Sequence, residues 1–202
     1  MFAEFGRWAG ETVFCLASGP SMRPEDASAV RGQGRVITVN STFRLAPWAD
    51  VHYSSDHDWW HLHLPEMRAA CKGEFWSGYP FGHIADDVRI CPYDKKARGI
   101  LRTPGRIAWG GNSGYCALGL AYQFGASRIV LLGYDMKDPA GKGHWHGHHD
   151  ASIKKDFNFD MWKMRFYDAA RDFKGLGIEV INCTPVTDLT CFPRKKLEEI
   201  LC

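Results

Sequence analysis

The chain has 202 residues, of which 45% are hydrophobic, and a formal net charge of +2 at pH 7. This length fits one large domain that buries its own core, and the near-neutral charge excludes a generic polyanion binder. No apolar stretch approaches the roughly 18 residues of a membrane span. The start of the chain lacks a signal-peptide core, and seven cysteines without C-x-x-C spacing are typical of a reducing compartment, so we expect a cytoplasmic protein.

Short apolar runs alternate with helical segments along the chain. Strands are predicted at Thr12–Ala17, Arg35–Val39, Asp50–Ser54, Arg128–Leu132 and Ile178–Asn182, with weaker candidates at Glu74–Ser77 and Val88–Cys91. Helices are predicted after Pro24 and at His61–Cys71, Asn112–Phe124 and Asp156–Phe173. The alternation predicts one α/β domain over residues 1–202, with a doubly wound, mainly parallel, Rossmann-like sheet and helices on both faces. The three most apolar runs, at 12–17, 35–39 and 128–132, are expected to be the central strands.

Polar residues follow the apolar strands at the point where each strand ends. These residues are Ser18, Asn40, Asp56, Asp135 and Asn182. Because ligands of open α/β sheets bind outside the carboxyl ends of the strands, the pattern predicts a binding site at that edge.

Two glycine-containing turns precede helices and are candidates for phosphate or ribose binding. The first contains Ser18, Gly19 and Ser21, and Ser21 is expected to cap the helix that follows. The second contains Asn112, Ser113 and Gly114 at the start of the strongest predicted helix. Neither turn has the G-x-G-x-x-G or G-K-[ST] pattern, and an ordinary strand-to-helix turn is the alternative for the first.

Two carboxylates, Asp56 and Asp58, flank His57 at the end of a predicted strand. Carboxylates in this arrangement can hold Mg²⁺ or Mn²⁺ beneath a diphosphate. The alternative is structural, with Asp58 capping the helix that begins at Trp59.

Four histidines lie within the six residues 144–149, inside a polar segment, 137–155, that is expected to form an irregular lid. His144 is the first candidate for a general base that removes the proton of an acceptor hydroxyl, and His148 is the second. A transition-metal site and a solvated loop are the alternatives. Residues 89–106 carry six basic side chains against one acid, which indicates either a solvated loop or a contact with phosphates of a donor or of DNA.

Several motifs, in chain order, resemble the bacterial sialyltransferases of glycosyltransferase family forty-two. They are FCLASGPSM, VITVN, GNSGYCALGLAYQFGASRIVLLGYDM and GHWHGH, and they extend from residue 12 to about 182. The resemblance implies a GT-A-like fold, with His144 as the base and Asn40 as a nucleotide-binding residue. It further implies donor contacts from Ser18, Gly19, Ser21, Asn112, Ser113, Gly114 and Asp135.

The chain departs from that family at three places. Ser18 stands where the family has a donor-contacting Asn, Asn112 stands in place of the family's Thr, and the Asp56–Asp58 motif has no counterpart there. The same elements resemble the 6-hydroxymethylpterin diphosphokinase-like superfamily, and the compact length resembles small phage-encoded members of the group.

The sequence as a whole predicts a glycosyltransferase that moves a sugar from a nucleotide sugar to a hydroxyl of a glycan, a protein or a hydroxylated nucleobase in DNA. One alternative is a Mg²⁺-dependent diphosphokinase that uses ATP on a pterin-like alcohol, with the metal on Asp56 and Asp58. A non-catalytic nucleotide-binding module is the other.

Overall fold

The computed structural model describes residues 4–79, 83–137, 143–147 and 158–201. Seven strands form the main sheet, and every neighbouring pair in it is parallel. They are β1 (Thr12–Leu16), β2 (Arg35–Val39), β3 (Val51–Ser54), β4 (Glu74–Ser77), β5 (Val88–Ile90), β8 (Arg128–Leu132) and β9 (Glu179–Asn182). Two short strands, β6 (Tyr93–Asp94) and β7 (Ile107–Ala108), pair in a separate parallel ribbon.

The strand order of the main sheet is β5-β4-β3-β2-β1-β8-β9. The chain moves outward from β1 to β5 and then returns to place β8 on the other side of β1. Within the sheet, Phe14 of β1 lies opposite Val36 of β2 and Val130 of β8. The prediction that these three strands are central is therefore confirmed, and the topology reverses between β1 and β8. In sheets of this kind, the point of reversal is where a crevice opens at the carboxyl edge.

Helices cover both faces of the sheet, which confirms the predicted doubly wound architecture. They are α1 (Pro24–Ala29), α2 (His57–Ala70), α3 (Ser113–Gln123), α4 (Phe159–Leu176) and α5 (Glu198–Leu201), with a 3-10 helix at Asn40–Arg44. Side chains alternate across β1, so Cys15 packs with Leu120 of α3 and Phe173 of α4, whereas Leu16 packs with Ala27 of α1 on the opposite face. Of the helices in the described part of the chain, none has the length and apolar character to cross a membrane.

Two asparagines fix where α3 and α4 begin, and a glycine fixes where α4 ends. The Asn112 side chain caps α3 by accepting from the N–H of Tyr115 at 2.9 Å, and Asn158 caps α4 in the same way. Gly177 ends α4 in the left-handed region, with φ of +69°, where a residue without a Cβ is favoured. These caps fix both helix starts.

Several predicted boundaries are wrong by a few residues. Helix α2 begins at His57 rather than His61, because Trp59 and Trp60 are fully buried and their packing includes the preceding residues in the first turn. Helix α4 extends to Leu176, and its predicted start at Asp156 lies outside the described residues. Ser21 does not cap α1, since Arg23 occupies the N-cap position without a side-chain bond. Asp58 does not cap α2 either, because the helix already includes it.

Candidate functional site

A cavity of about 590 Å³ opens at the carboxyl edge of the sheet, next to the reversal point between β1 and β8. Its lining includes most of the residues that the sequence singled out. They are Ser18, Gly19, Asn40, Asp56, Asp58, Asn112, Ser113, Gly114, Asp135 and His144. Ser21 is not part of the lining, and His148 and most of the predicted lid lie outside the described residues. The topology thus brings together residues that are more than 120 positions apart in the sequence.

Gly19, Ser21 and Asp135 form a clasp between the ends of β1 and β8. The Asp135 carboxylate is buried, and it accepts hydrogen bonds from the N–H of Ser21 at 3.0 Å and from the hydroxyl of Ser21 at 2.9 Å. Burial raises the pKa of the Asp135 carboxyl above its ordinary value, and the two bonds from Ser21 oppose that shift. Gly19 donates its N–H to the Gly133 carbonyl at 2.9 Å, and a Cβ at Gly19 would collide with the Asp135 carboxylate.

The clasp changes the interpretation of two predicted donor contacts. The hydroxyl of Ser21 donates its hydrogen bond to the Asp135 carboxylate and not to a molecule in the cavity, so Ser21 positions the turn. Gly19 leaves its backbone beside the cavity because no side chain fits there. A direct donor contact by Asp135 stays a prediction.

Asn40 follows β2 and lies in the cavity wall in an unusual conformation. Its φ is +49°, in the left-handed region, which Asn adopts more readily than most residues other than glycine. Only 9% of the residue is exposed, and within the described ranges its Oδ1 atom is buried without a hydrogen-bond partner. Left-handed geometry and an unsatisfied buried acceptor both cost free energy, and such features concentrate at binding sites.

Helix α3 presents its first turn to the cavity. The first four N–H groups of a helix have no intrahelical acceptor. The Asn112 side chain satisfies one of these, that of Tyr115, and the N–H of Cys116 makes the first intrahelical bond, to the Asn112 carbonyl. Ser113 and Gly114, which lie between them in the first turn, line the cavity. The positive end of the helix dipole adds to their attraction for an anion. The arrangement suits a phosphate.

Ser55 is a cavity residue that the sequence prediction missed. Its N–H and hydroxyl lie 3.1 and 2.8 Å from the Ser113 hydroxyl, so it links the end of β3 to the start of α3. It directly precedes Asp56, and the polar run after β3 was the signal that could have identified it.

Asp56 and Asp58 both line the cavity. The Asp58 carboxylate is 83% exposed and lies 3.3 Å from Nδ1 of His57. Across the described residues, no cluster of three or more His, Cys, Asp or Glu side chains is arranged to hold a metal ion. Mg²⁺ is commonly held by one or two carboxylates together with substrate phosphates, so the pair is compatible with that ion only alongside a nucleotide. The predicted Mg²⁺ or Mn²⁺ site stays a prediction.

Residues 143–147 form a tight turn that lies against the first strand end. The N–H of Trp145 donates to the Ser18 carbonyl at 3.1 Å, and its indole N–H lies 3.4 Å from the Thr42 hydroxyl. The Nδ1 atom of His144 is 3.3 Å from the same Ser18 carbonyl. Ser18 thereby anchors the turn that carries the predicted base.

The contact with Ser18 determines the tautomer of neutral His144. A carbonyl oxygen only accepts, so Nδ1 carries the proton and Nε2 carries the lone pair, which is the form that a general base requires. Nε2 is itself buried. The neighbouring His146 ring stacks on His144 with centroids 5.2 Å apart, and desolvation lowers the pKa of His146.

Aromatic side chains form another part of the cavity wall, and the sequence prediction did not identify them individually. They are Tyr79, Tyr93, Trp109, Phe159 and Trp162. Tyr93 lies in β6 and Trp109 directly follows β7, with ring centroids 6.0 Å apart, and Phe159 and Trp162 come from the first turn of α4. Such a wall suits the ring of a base or the apolar face of a sugar.

Three of the six basic side chains in segment 89–106 lie close to carboxylates. Arg89 is paired with Glu4 and Glu74, and Arg98 and Arg106 lie within 4 Å of acids. None of the six basic side chains, all of which are described, lines the cavity. A phosphate contact from this segment to a ligand in the cavity is therefore unsupported, and a contact with DNA stays a prediction.

The fold and the site together define an α/β protein with a polar and aromatic cavity at the reversal point of its sheet. Comparison of the chain with protein-family models, with curated proteins and with solved structures finds no match.

Proposed function

We propose that this chain is a glycosyltransferase that binds a nucleotide sugar in the 590 Å³ cavity and passes the sugar to an acceptor hydroxyl. The observation that carries the proposal is the buried side-chain oxygen of Asn40. A buried amide oxygen without a partner among the described residues, on a backbone held at φ of +49°, is costly unless a ligand satisfies it. A ribose hydroxyl or the N–H of a base supplies the missing donor.

The start of α3 supports a phosphate in the same cavity. The N–H groups of Ser113 and Gly114, together with the helix dipole, attract the negative charge of a nucleotide. During transfer, the bond between the sugar carbon and the phosphate oxygen breaks, and the charge on that oxygen grows. Donors fixed at the helix start stabilise that charge without reorganisation.

His144 supports the transfer step at the acceptor. Its Nδ1–H is held by the Ser18 carbonyl, so Nε2 can take the proton of the acceptor hydroxyl while the oxygen forms its bond to the sugar carbon. The aromatic wall that includes Trp109 and Trp162 provides apolar surface for the sugar or the acceptor ring.

Calorimetric titration of the full chain tests the proposal. CMP, a UDP-sugar and ATP would each be titrated in EDTA, in Mg²⁺ and in Mn²⁺. We expect one nucleotide to bind with a stoichiometry of one. Metal-independent binding of CMP supports a sialyltransferase-like donor, and metal-dependent binding of the UDP-sugar supports another sugar donor. Binding of ATP only with Mg²⁺ supports the diphosphokinase alternative instead, and absence of all binding refutes nucleotide recognition.

A further inference from the structure

Two histidines on α2 meet at the edge of the cavity. His57 and His61 lie one helical turn apart, with their Nε2 atoms separated by 3.0 Å and their ring centroids by 4.3 Å. His57 lines the cavity, and helix α2, which carries both rings, begins three positions after the last residue of β3. The proposed glycosyl transfer uses neither side chain.

The neighbouring carboxylate determines how the protons are arranged in this pair. Asp58 Oδ1 lies 3.3 Å from Nδ1 of His57, and a carboxylate only accepts, so the proton of His57 is on Nδ1 and its Nε2 carries a lone pair. His61 therefore donates its Nε2–H across the 3.0 Å gap. If both Nε2 atoms carried protons, two N–H groups would face each other, so the pair accommodates one shared proton or one other cation at this point.

We propose that His57 and His61 hold a divalent transition-metal ion of the zinc class, with Asp58 as the carboxylate that orients His57. Histidines four positions apart on one helix face are a recurring zinc-binding arrangement. In a tetrahedral zinc site with bonds of about 2.0–2.1 Å, two ligand nitrogens are about 3.3 Å apart. The pair needs to widen by only about 0.3 Å to accept the ion, and the His61 proton then moves to Nδ1.

The ligand set determines the class of ion and its role. Imidazole nitrogens favour Zn²⁺, Ni²⁺ and Cu²⁺ over Mg²⁺, so this site differs from the oxygen site predicted on Asp56 and Asp58. Among the described residues no third metal-binding side chain completes the shell. The remaining positions would go to water or to an oxygen of a molecule in the cavity. A carboxylate that hydrogen-bonds the outer nitrogen of a metal-binding histidine is the usual supporting contact, which is the position of Asp58.

Zinc binding by the full chain tests this site independently of the proposed glycosyl transfer, because the titration contains neither nucleotide nor sugar. Zn²⁺ alone would be titrated against a chromophoric chelator that counts bound equivalents. We expect His57→Gln and His61→Gln each to lose one equivalent. Asp58→Asn should keep that equivalent with an affinity about 10–100-fold lower, the usual effect of a supporting carboxylate.

His83→Gln is the matched control, because His83 is a 72% exposed histidine that pairs with Asp86 outside this cluster. It should bind zinc as the wild type does. Any zinc held by residues 144–149 contributes equally to every variant. The proposal is overturned if His61→Gln, which alters an exposed ring, binds as many equivalents as the wild type with unchanged affinity. It is also overturned if Asp58→Asn loses the ion while both histidine variants keep it.

Discussion

Replacement of Asn40 by glycine separates ligand binding from folding at the residue that carries the proposed function. Glycine adopts the φ of +49° without strain, and the variant removes the buried Oδ1 atom that has no partner among the described residues. Loss of an unsatisfied buried acceptor stabilises by about 1–3 kcal/mol, and the added freedom of glycine in the unfolded chain costs about 0.4–1 kcal/mol. We therefore expect the free energy of unfolding to stay equal or to rise by up to about 2 kcal/mol.

Nucleotide affinity should change in the opposite direction. A hydrogen bond between neutral groups contributes about 0.5–1.5 kcal/mol, so the Kd should rise about two- to twelvefold. Gln33→Gly is the control, because it also replaces an amide side chain by glycine, but an exposed one near the opposite end of β2. Urea denaturation without ligand and calorimetric titration give the two quantities. Unchanged nucleotide affinity in Asn40→Gly would refute the assignment of Asn40 as a nucleotide-binding residue. A large loss of stability would show a structural role instead.

Three further changes have defined outcomes. Gly19→Ala should lower the free energy of unfolding by about 1–3 kcal/mol in urea denaturation, since the added methyl group collides with the buried Asp135 carboxylate. Wild-type stability of this variant would show that the Asp135 carboxylate moves aside at little cost. Burial lowers the pKa of His52 from 6.5 to about 4, so its contribution to stability is complete above pH 6.5 and about 3 kcal/mol is lost as the pH falls to about 4. Unfolding followed against pH should show this slope, and His52→Gln should flatten it; an equal slope in the variant would assign the loss to other groups. His144→Ala should lower turnover about 10²–10⁴-fold with little change in nucleotide affinity, whereas His146→Ala should cost much less; full activity of His144→Ala would move the base elsewhere.

The architecture was predictable because strands buried on both faces leave an unmistakable pattern. The apolar runs of β1, β2 and β8 predicted three central parallel strands, and all three are central. Helix boundaries were less predictable, since tertiary burial decides them. Burial of Trp59 and Trp60 makes α2 begin at His57, earlier than predicted, and nothing in the local sequence indicates that both indoles reach the core.

The grouping of the candidate site residues followed from topology, but their contacts did not. Polar strand ends converge at one edge of a parallel sheet, which is why Ser18, Asn40 and Asp135 line one cavity. The clasp between Asp135 and Ser21 joins residues 114 positions apart, and such pairs leave no local signal. The aromatic wall was missed for the same reason, because Trp109 reaches the cavity from a two-stranded ribbon that composition alone does not predict.

Cleavage of the donor tests the central claim most directly. The full chain would be incubated with a panel of CMP-, UDP- and GDP-sugars, with and without Mg²⁺ or Mn²⁺, and release of free nucleotide would be followed by chromatography, with water serving as the acceptor. The proposed function predicts that one nucleotide sugar is cleaved and that His144→Ala cleaves it at least about 10²-fold more slowly. If no nucleotide sugar is cleaved under any of these conditions, while ATP with Mg²⁺ is consumed in the presence of a pterin-like alcohol, glycosyl transfer is contradicted and the chain is a diphosphokinase.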